Sequence, residues 1–245
     1  MLKKLLFFMC AAAMLTLTGC FEMVEEVYLN RDGSGKYLIS IDMSDLFSDP
    51  MMKGIMEQAA KEQAGQNEEM EIDSIVRFSE LPNADHLTSD EKMILKPLVM
   101  HIIMSESKSK MAFNMEYPFK DIADVKKMNE ALTKLEGQDG AGANPMMGGP
   151  AGLMQGNQAG FSLKKKMLSR LPVKVDKDAM EAEGMEFAKM FLESAKFKTI
   201  YHLPGKVKKT TIPNATVDGS TVTVENGVLD IMEGKAKQDG DIKFK

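Results

Sequence analysis

Apolar and polar positions alternate over much of the chain from residue 23 onward. Tyr37, Ile39 and Ile41 alternate with Lys36, Leu38, Ser40 and Asp42, the two-residue period of a half-buried strand. Residues 23–29 read as its partner. Between them, Arg31-Asp32-Gly33-Ser34-Gly35 carries the Asp-Gly pair that favours a tight hairpin turn. Met111, Phe113, Met115 and Tyr117 alternate with Ala112, Asn114 and Glu116. With residues 99–106 they predict a second hairpin around Ser107-Lys108. Residues 72–78 read as a further strand, and strands are also expected at 161–168, 196–203, 207–211, 221–225 and 228–232, with a turn at Asp218-Gly219.

Helical spacing appears in four places. Ser48-Asp49-Pro50 is a helix start with proline in the first turn, followed by Met52, Ile55, Met56, Ala59 and Gln63 on one face. Thr88 and Glu91 have the spacing of a capping box, opening a short helix that Pro97 ends. Asp121 precedes a stripe of Ile122, Val125, Met128, Leu132 and Leu135. Residues 177–194 carry Met180, Gly184, Phe187 and Phe191 on one face. Residues 137–160, rich in Gly and with Met and Pro, have no period and read as a flexible insertion. The expected fold is α+β: a mainly antiparallel sheet of hairpins packed with three to four helices. Residues 20–245 are expected to form a single domain interrupted by that insertion.

The first twenty residues have a different character. Lys3 and Lys4 precede an apolar run over 5–17 that is too short to span a bilayer stably. It closes on Leu17-Thr18-Gly19-Cys20, which resembles the bacterial lipobox. The small residues before the cysteine let a signal peptidase close on the backbone. The resemblance implies cleavage between Gly19 and Cys20 and lipidation of Cys20, so that 1–19 is a cleaved signal peptide. Cys10 would leave with it. Attachment to the membrane then comes from acyl chains, each buried CH₂ contributing roughly 0.8 kcal/mol. Phe21 rather than Asp follows the cysteine. By resemblance to the enterobacterial sorting rule, this favours the outer over the inner membrane if the source is Gram-negative.

Composition narrows the chemistry. Hydrophobic residues are 44% and charged residues 27% of the 245, ordinary for a soluble globular body. The net charge is −5, and loss of Lys3 and Lys4 makes the mature chain more acidic still. This argues against nucleic acid as a partner. Two cysteines and three histidines support neither a disulfide scaffold nor a zinc cluster. Asn30, Asp32, Ser34 and Gly35 imitate the front of an EF-hand loop, but its twelfth position holds Ile41, so a hairpin turn is expected there. His86, His101 and His202 are far apart, and no G-x-S-x-G, P-loop or paired-histidine motif is present. The 23 methionines suit irregular cores and adaptable apolar surfaces. The Met146, Met147 and Met154 group has no His or Cys beside it to suggest copper.

The N-terminal strand pair, the stretch Tyr201-His-Leu-Pro-Gly-Lys-Val-Lys-Lys-Thr, and Val217-Asp-Gly-Ser-Thr-Val-Thr-Val together are similar to uncharacterised bacterial lipoproteins related to the LppM-like domain. The resemblance covers the two ends of the chain. The tryptophan that often ends the last strand is absent, with Val224 or a neighbour in its place. The resemblance implies an envelope lipoprotein that binds lipid or glycolipid, and it transfers no catalytic residue. The expectation is therefore a non-enzymatic, membrane-anchored cell-envelope lipoprotein without cofactor or metal. Its body is expected to bind a lipid or other apolar envelope component. The alternative is a structural or assembly partner of another envelope protein. The candidate apolar lining is Met52, Met56, Met111, Phe113, Met115, Tyr117, Phe187 and Phe191.

Overall fold

In a computed structural model, the structure describes residues 22–45, 54, 71–78, 87–136, 159–173, 189 and 192–245. Twelve strands among them form two sheets. They are β1 (Glu22–Leu29), β2 (Gly35–Asp42), β3 (Glu71–Arg77), β4 (Val99–Ser105), β5 (Lys110–Phe119), β6 (Phe161–Lys164), β7 (Met167–Arg170), β8 (Lys196–His202), β9 (Val207–Thr210), β10 (Thr216–Asp218), β11 (Thr221–Gly227) and β12 (Gly240–Phe244). The larger sheet has the order β10-β11-β8-β1-β2-β5-β4-β3, the smaller β6-β7-β12-β9. Three short helices accompany them: α1 (Ser89–Leu95), α2 (Asp124–Glu136) and α3 (Val228–Met232). The expected α+β sheet packed with three to four helices is thus corrected to a mostly β architecture. The expected helices over 48–63 and 177–194 lie largely outside the described residues.

Register places the inward side chains of the large sheet in rows. One row runs Val222–Tyr201–Val27–Tyr37–Tyr117, and a second Val224–Thr199–Glu25–Ile39–Met115–Met100–Val76. A third runs Asn226–Phe197–Met23–Ile41–Phe113–Ile102–Ser74. All pairings are antiparallel except β1 with β8. That one parallel pair puts the N-terminal strand in the middle of the sheet. The small sheet lies on the same inner face. Phe161 packs its ring 6.2 Å from that of Tyr37 and 6.3 Å from that of Tyr201. Leu168, Ile242 and Phe244 join the same core cluster, as do Ile122, Val125 and Met128 of the α2 region. At the β1–β2 end, a Cβ on Gly35 would lie 2.6 Å from the Phe119 ring, so this position admits no side chain.

Several local expectations hold. The Thr88 side chain accepts from the Glu91 backbone N–H, and the Glu91 carboxylate accepts in return from the Thr88 N–H, completing the capping box. The β4–β5 hairpin forms as expected. Pro118 is accommodated because it lies beyond the stretch that β4 pairs.

Two expectations are corrected. The single strand over 161–168 is a hairpin, β6–β7, turning on Lys165 and Lys166 with φ of 44° and 62°. Both positive angles are those of a type I′ turn, and neither residue announces it as Asn or Gly would. The strand expected at 228–232 is α3. Gly227 pairs with Lys196, where β8 begins, so the chain beyond has no partner strand. Its backbone groups must then be satisfied locally, and a helical turn does this despite the β-branched residues.

Candidate functional site

Four of the eight predicted lining residues, Met111, Phe113, Met115 and Tyr117, share one face of β5, as the alternation requires. Phe113, Met115 and Tyr117 are fully buried members of the core, and Met111 is half-buried against it. Burial pushes the Tyr117 hydroxyl up to about 12, with the nearby Asp124 carboxylate adding to the shift. Met52, Met56, Phe187 and Phe191 lie outside the described residues, as do Gly19 and Cys20.

The same face continues past the core. Met115 is buried, but its neighbours along the row, Met100 and Val76, are only half-covered. Phe113 is followed by half-covered Ile102. A last row, Met111–Met104–Ile72, runs from half-buried to exposed, with Ile72 at 41%. The β3–β4 end is therefore an apolar, methionine-rich flank. β3 is the edge of the sheet, and Ile75 on its other face is 52% exposed. Glu71, Asp73 and Arg77 place charges along that edge, a pattern that discourages indiscriminate strand pairing. Glu71 is fixed by the Ser105 and Ser107 hydroxyls, and Asp73 approaches His101 Nε2 at 2.6 Å.

A second cluster lies under the small sheet. Glu25 of β1 and Arg170 of β7 form an ion pair with both side chains fully buried. Glu25 also accepts from the hydroxyls of Tyr37 (2.8 Å) and Thr199 (2.9 Å). Arg170 donates to the Tyr201 hydroxyl oxygen and to Gln238 Oε1 at 3.1 Å. Its guanidinium lies 5.5 Å from the Phe161 ring centre. Burial opposes the guanidinium charge most strongly, but the Glu25 carboxylate together with the Tyr201 and Tyr37 hydroxyls holds its pKa above the ordinary value. Burial, reinforced by Glu25, drives the Tyr37 hydroxyl well up, and burial brings that of Tyr201 to about 12. These groups are locked in mutual hydrogen bonds, an arrangement suited to joining two sheets. The sequence signal for it was a glutamate at an inward position of the alternation Met23, Glu25, Val27, Leu29.

On the opposite face of β1, Tyr28 stacks on His202 with ring centres 4.1 Å apart. Both contact Glu26: the Tyr28 hydroxyl donates to it at 2.7 Å, and His202 Nε2 lies at 2.8 Å. The hydrogen bond to Glu26 raises the Tyr28 pKa, the reverse of what an activated nucleophile needs. A groove of about 430 Å³ runs between α1 and α2, lined by Asp90, Glu91, Ile94, Lys127, Glu130, Ala131, Thr133 and Lys134. Its charged walls do not suit an acyl chain. The EF-hand imitation is a hairpin turn: Asp32 Oδ1 accepts from the Ser34 N–H and hydroxyl, and Gly33 has φ of 89°. Among the described residues no group of three His, Cys, Asp or Glu could hold a metal, and no helix is long and apolar enough to cross a membrane.

No family model matches the chain, and no curated protein matches it. Among solved structures, the chain is similar to the NMR structure of the Mycobacterium tuberculosis LppM folded domain. The identity is 6% and the TM-score 0.43, over 92% of this chain and 91% of that one.

Proposed function

We propose that this chain is a membrane-anchored lipoprotein of the cell envelope, held by acyl groups on Cys20. Its β body would be non-enzymatic and hold a lipid or other apolar envelope component. The observation behind the binding role is the methionine-rich flank. Rows of side chains buried under the core in β2 and β5 continue, still apolar, onto the half-covered β4 and exposed β3. The flank, rather than the sealed β5 face, is where an acyl chain would lie. Unbranched Met100, Met104 and Met111 can adjust to an irregular apolar surface at modest rotamer cost. Phe21 after the lipobox favours the outer membrane if the source is Gram-negative.

Two measurements test this reading. The Cys20→Ser variant should remain as unprocessed precursor without acyl groups, and wild type lacking acylation by mass spectrometry would remove the anchor. Fluorescent fatty acid titrated against the full chain in detergent should bind saturably, and Met104→Glu should weaken that binding. A second reading, an assembly partner, draws on β3, which has one partner strand among the described residues, and on exposed Ile75. An added strand from another envelope protein would pair there. Ile75→Lys would weaken such a complex and leave fatty-acid binding unchanged.

A further inference from the structure

We infer that the outward face of the four-stranded sheet is a docking surface for an anionic phospholipid membrane, at the end of the body remote from Cys20. Its remoteness from the anchor rests on the lipoprotein reading; the surface itself does not. The outward row of this sheet is Lys164–Met167–Lys243–Lys209, strand by strand. Lys165 and Lys166 form the adjoining tip. The Lys166 carbonyl accepts from the Phe244 N–H at 3.0 Å, and the Lys206 carbonyl from the Lys245 N–H at 2.9 Å, which gathers Lys206 at the same end. All six lysines are exposed, and none takes part in an ion pair among the described residues.

A bland solvated face explains this poorly. Lys243 and Lys209 stand directly opposite each other, a pairing that destabilises a sheet and serves nothing in its folding. Where acids stand beside surface lysines elsewhere they pair, as in Lys36 with Glu116, Lys126 with Glu130 and Lys196 with Glu225. The chain as a whole is acidic at −5, yet six exposed lysines gather at this end of the small sheet. The acid on it, Asp241, accepts from the Ser169 hydroxyl at 2.6 Å, at the other end of the sheet from the lysine tip. Asp32 in the neighbouring β1–β2 turn is engaged by Ser34, and Asp218 lies in the nearby β10–β11 turn.

The chemistry selects a lipid surface over nucleic acid. The row is flat and made of lysines, which act as point charges toward phosphate. A half-buried methionine sits among them, and among the described residues no aromatic side chain stands in this row to stack on bases. Position adds a consequence. β1 starts at Glu22, two residues after Cys20, and its eight residues at about 3.3 Å each carry the chain roughly 25 Å away. The lysine tip packs against that far end, because a Cβ on Gly33 would meet Leu163 at 3.5 Å. The lysine tip therefore lies a strand's length from the start of β1, where a second membrane would meet it.

The full chain, reconstituted in phosphatidylcholine vesicles, should capture separately labelled phosphatidylglycerol vesicles, and added salt should abolish capture. Lys164→Glu/Lys209→Glu/Lys243→Glu should reduce capture more than roughly tenfold, with an unchanged circular dichroism spectrum, whereas Lys126→Glu on α2 should not. Equal capture of phosphatidylcholine vesicles, or indifference to the triple reversal, would overturn the inference. So would capture of single-stranded DNA in place of anionic vesicles. A chain that fails to float with its own vesicles would instead refute the anchor. The face is then tested by direct co-sedimentation of the same chain with phosphatidylglycerol vesicles, with the same variants and the same criteria.

Discussion

Glu25 and Arg170 stand 145 residues apart in the chain and meet as an ion pair with no solvent exposure on either side chain. The pair joins the central strand of the large sheet to the small sheet. Each partner is supported by neutral groups, Tyr37 and Thr199 on the carboxylate, Tyr201 and Gln238 on the guanidinium. Such a pair adds little net stability relative to apolar packing, but removing one partner strands the other's charge.

Glu25→Leu or Arg170→Met should each lower stability by roughly 3–5 kcal/mol. The double variant Glu25→Leu/Arg170→Met should recover most of the loss, because no uncompensated charge remains. Urea unfolding of the four proteins checks this. Additive losses in the double variant would show that the two residues do not act as a pair.

Alkaline pH should unfold the protein through its buried phenols. Tyr37, Tyr117 and Tyr201 all have raised pKa values, the last two at about 12, above the ordinary phenol. The folded state favours the neutral phenol. Its contribution is complete below pH 10 and is lost as pH rises from there through about 12. Phenolate absorbance should show Tyr28 ionising in the folded protein, and the other three ionising together with loss of the near-ultraviolet circular dichroism signal. Early, independent ionisation of all four would contradict the burial.

How much of this was legible in the sequence follows from range. The β1–β2 and β4–β5 hairpins were readable because alternation and turn residues are local signals. So was the Thr88–Glu91 cap. The β6–β7 hairpin was not, because its turn uses two lysines in a conformation normally left to Asn and Gly. α3 was misread because the missing neighbour that forces it to coil, the start of β8, lies thirty residues earlier. The parallel β1–β8 pairing and the Glu25–Arg170 contact are products of topology, which a two-residue period does not encode. The β5 face was identified correctly, but alternation cannot tell a sealed core face from a ligand-lining one. The other half of the proposed lining, on residues 52, 56, 187 and 191, falls outside the described residues.

Replacing Lys165-Lys166 by Asn-Gly should stabilise the protein by about 1 kcal/mol, since two lysines now hold positive φ. A rise in Tm would be the sign. An unchanged or lower Tm would mean that the turn is not of the I′ type.

Met115→Trp should destabilise by roughly 1–3 kcal/mol through overpacking, because Met115 is 2% exposed in the core. Thermal unfolding reads this directly. A variant of undiminished Tm would reveal spare volume behind β5 and return that face to the ligand-lining role.

The central claim, an apolar component held on the β3–β4 flank, is tested most directly by native mass spectrometry of the full chain purified from membranes. Wild type should carry a non-covalent lipid in addition to its covalent acyl groups, and Met104→Glu should lose that adduct while keeping the acyl groups and the fold. Absence of any adduct on wild type, or its retention by Met104→Glu, would contradict the account.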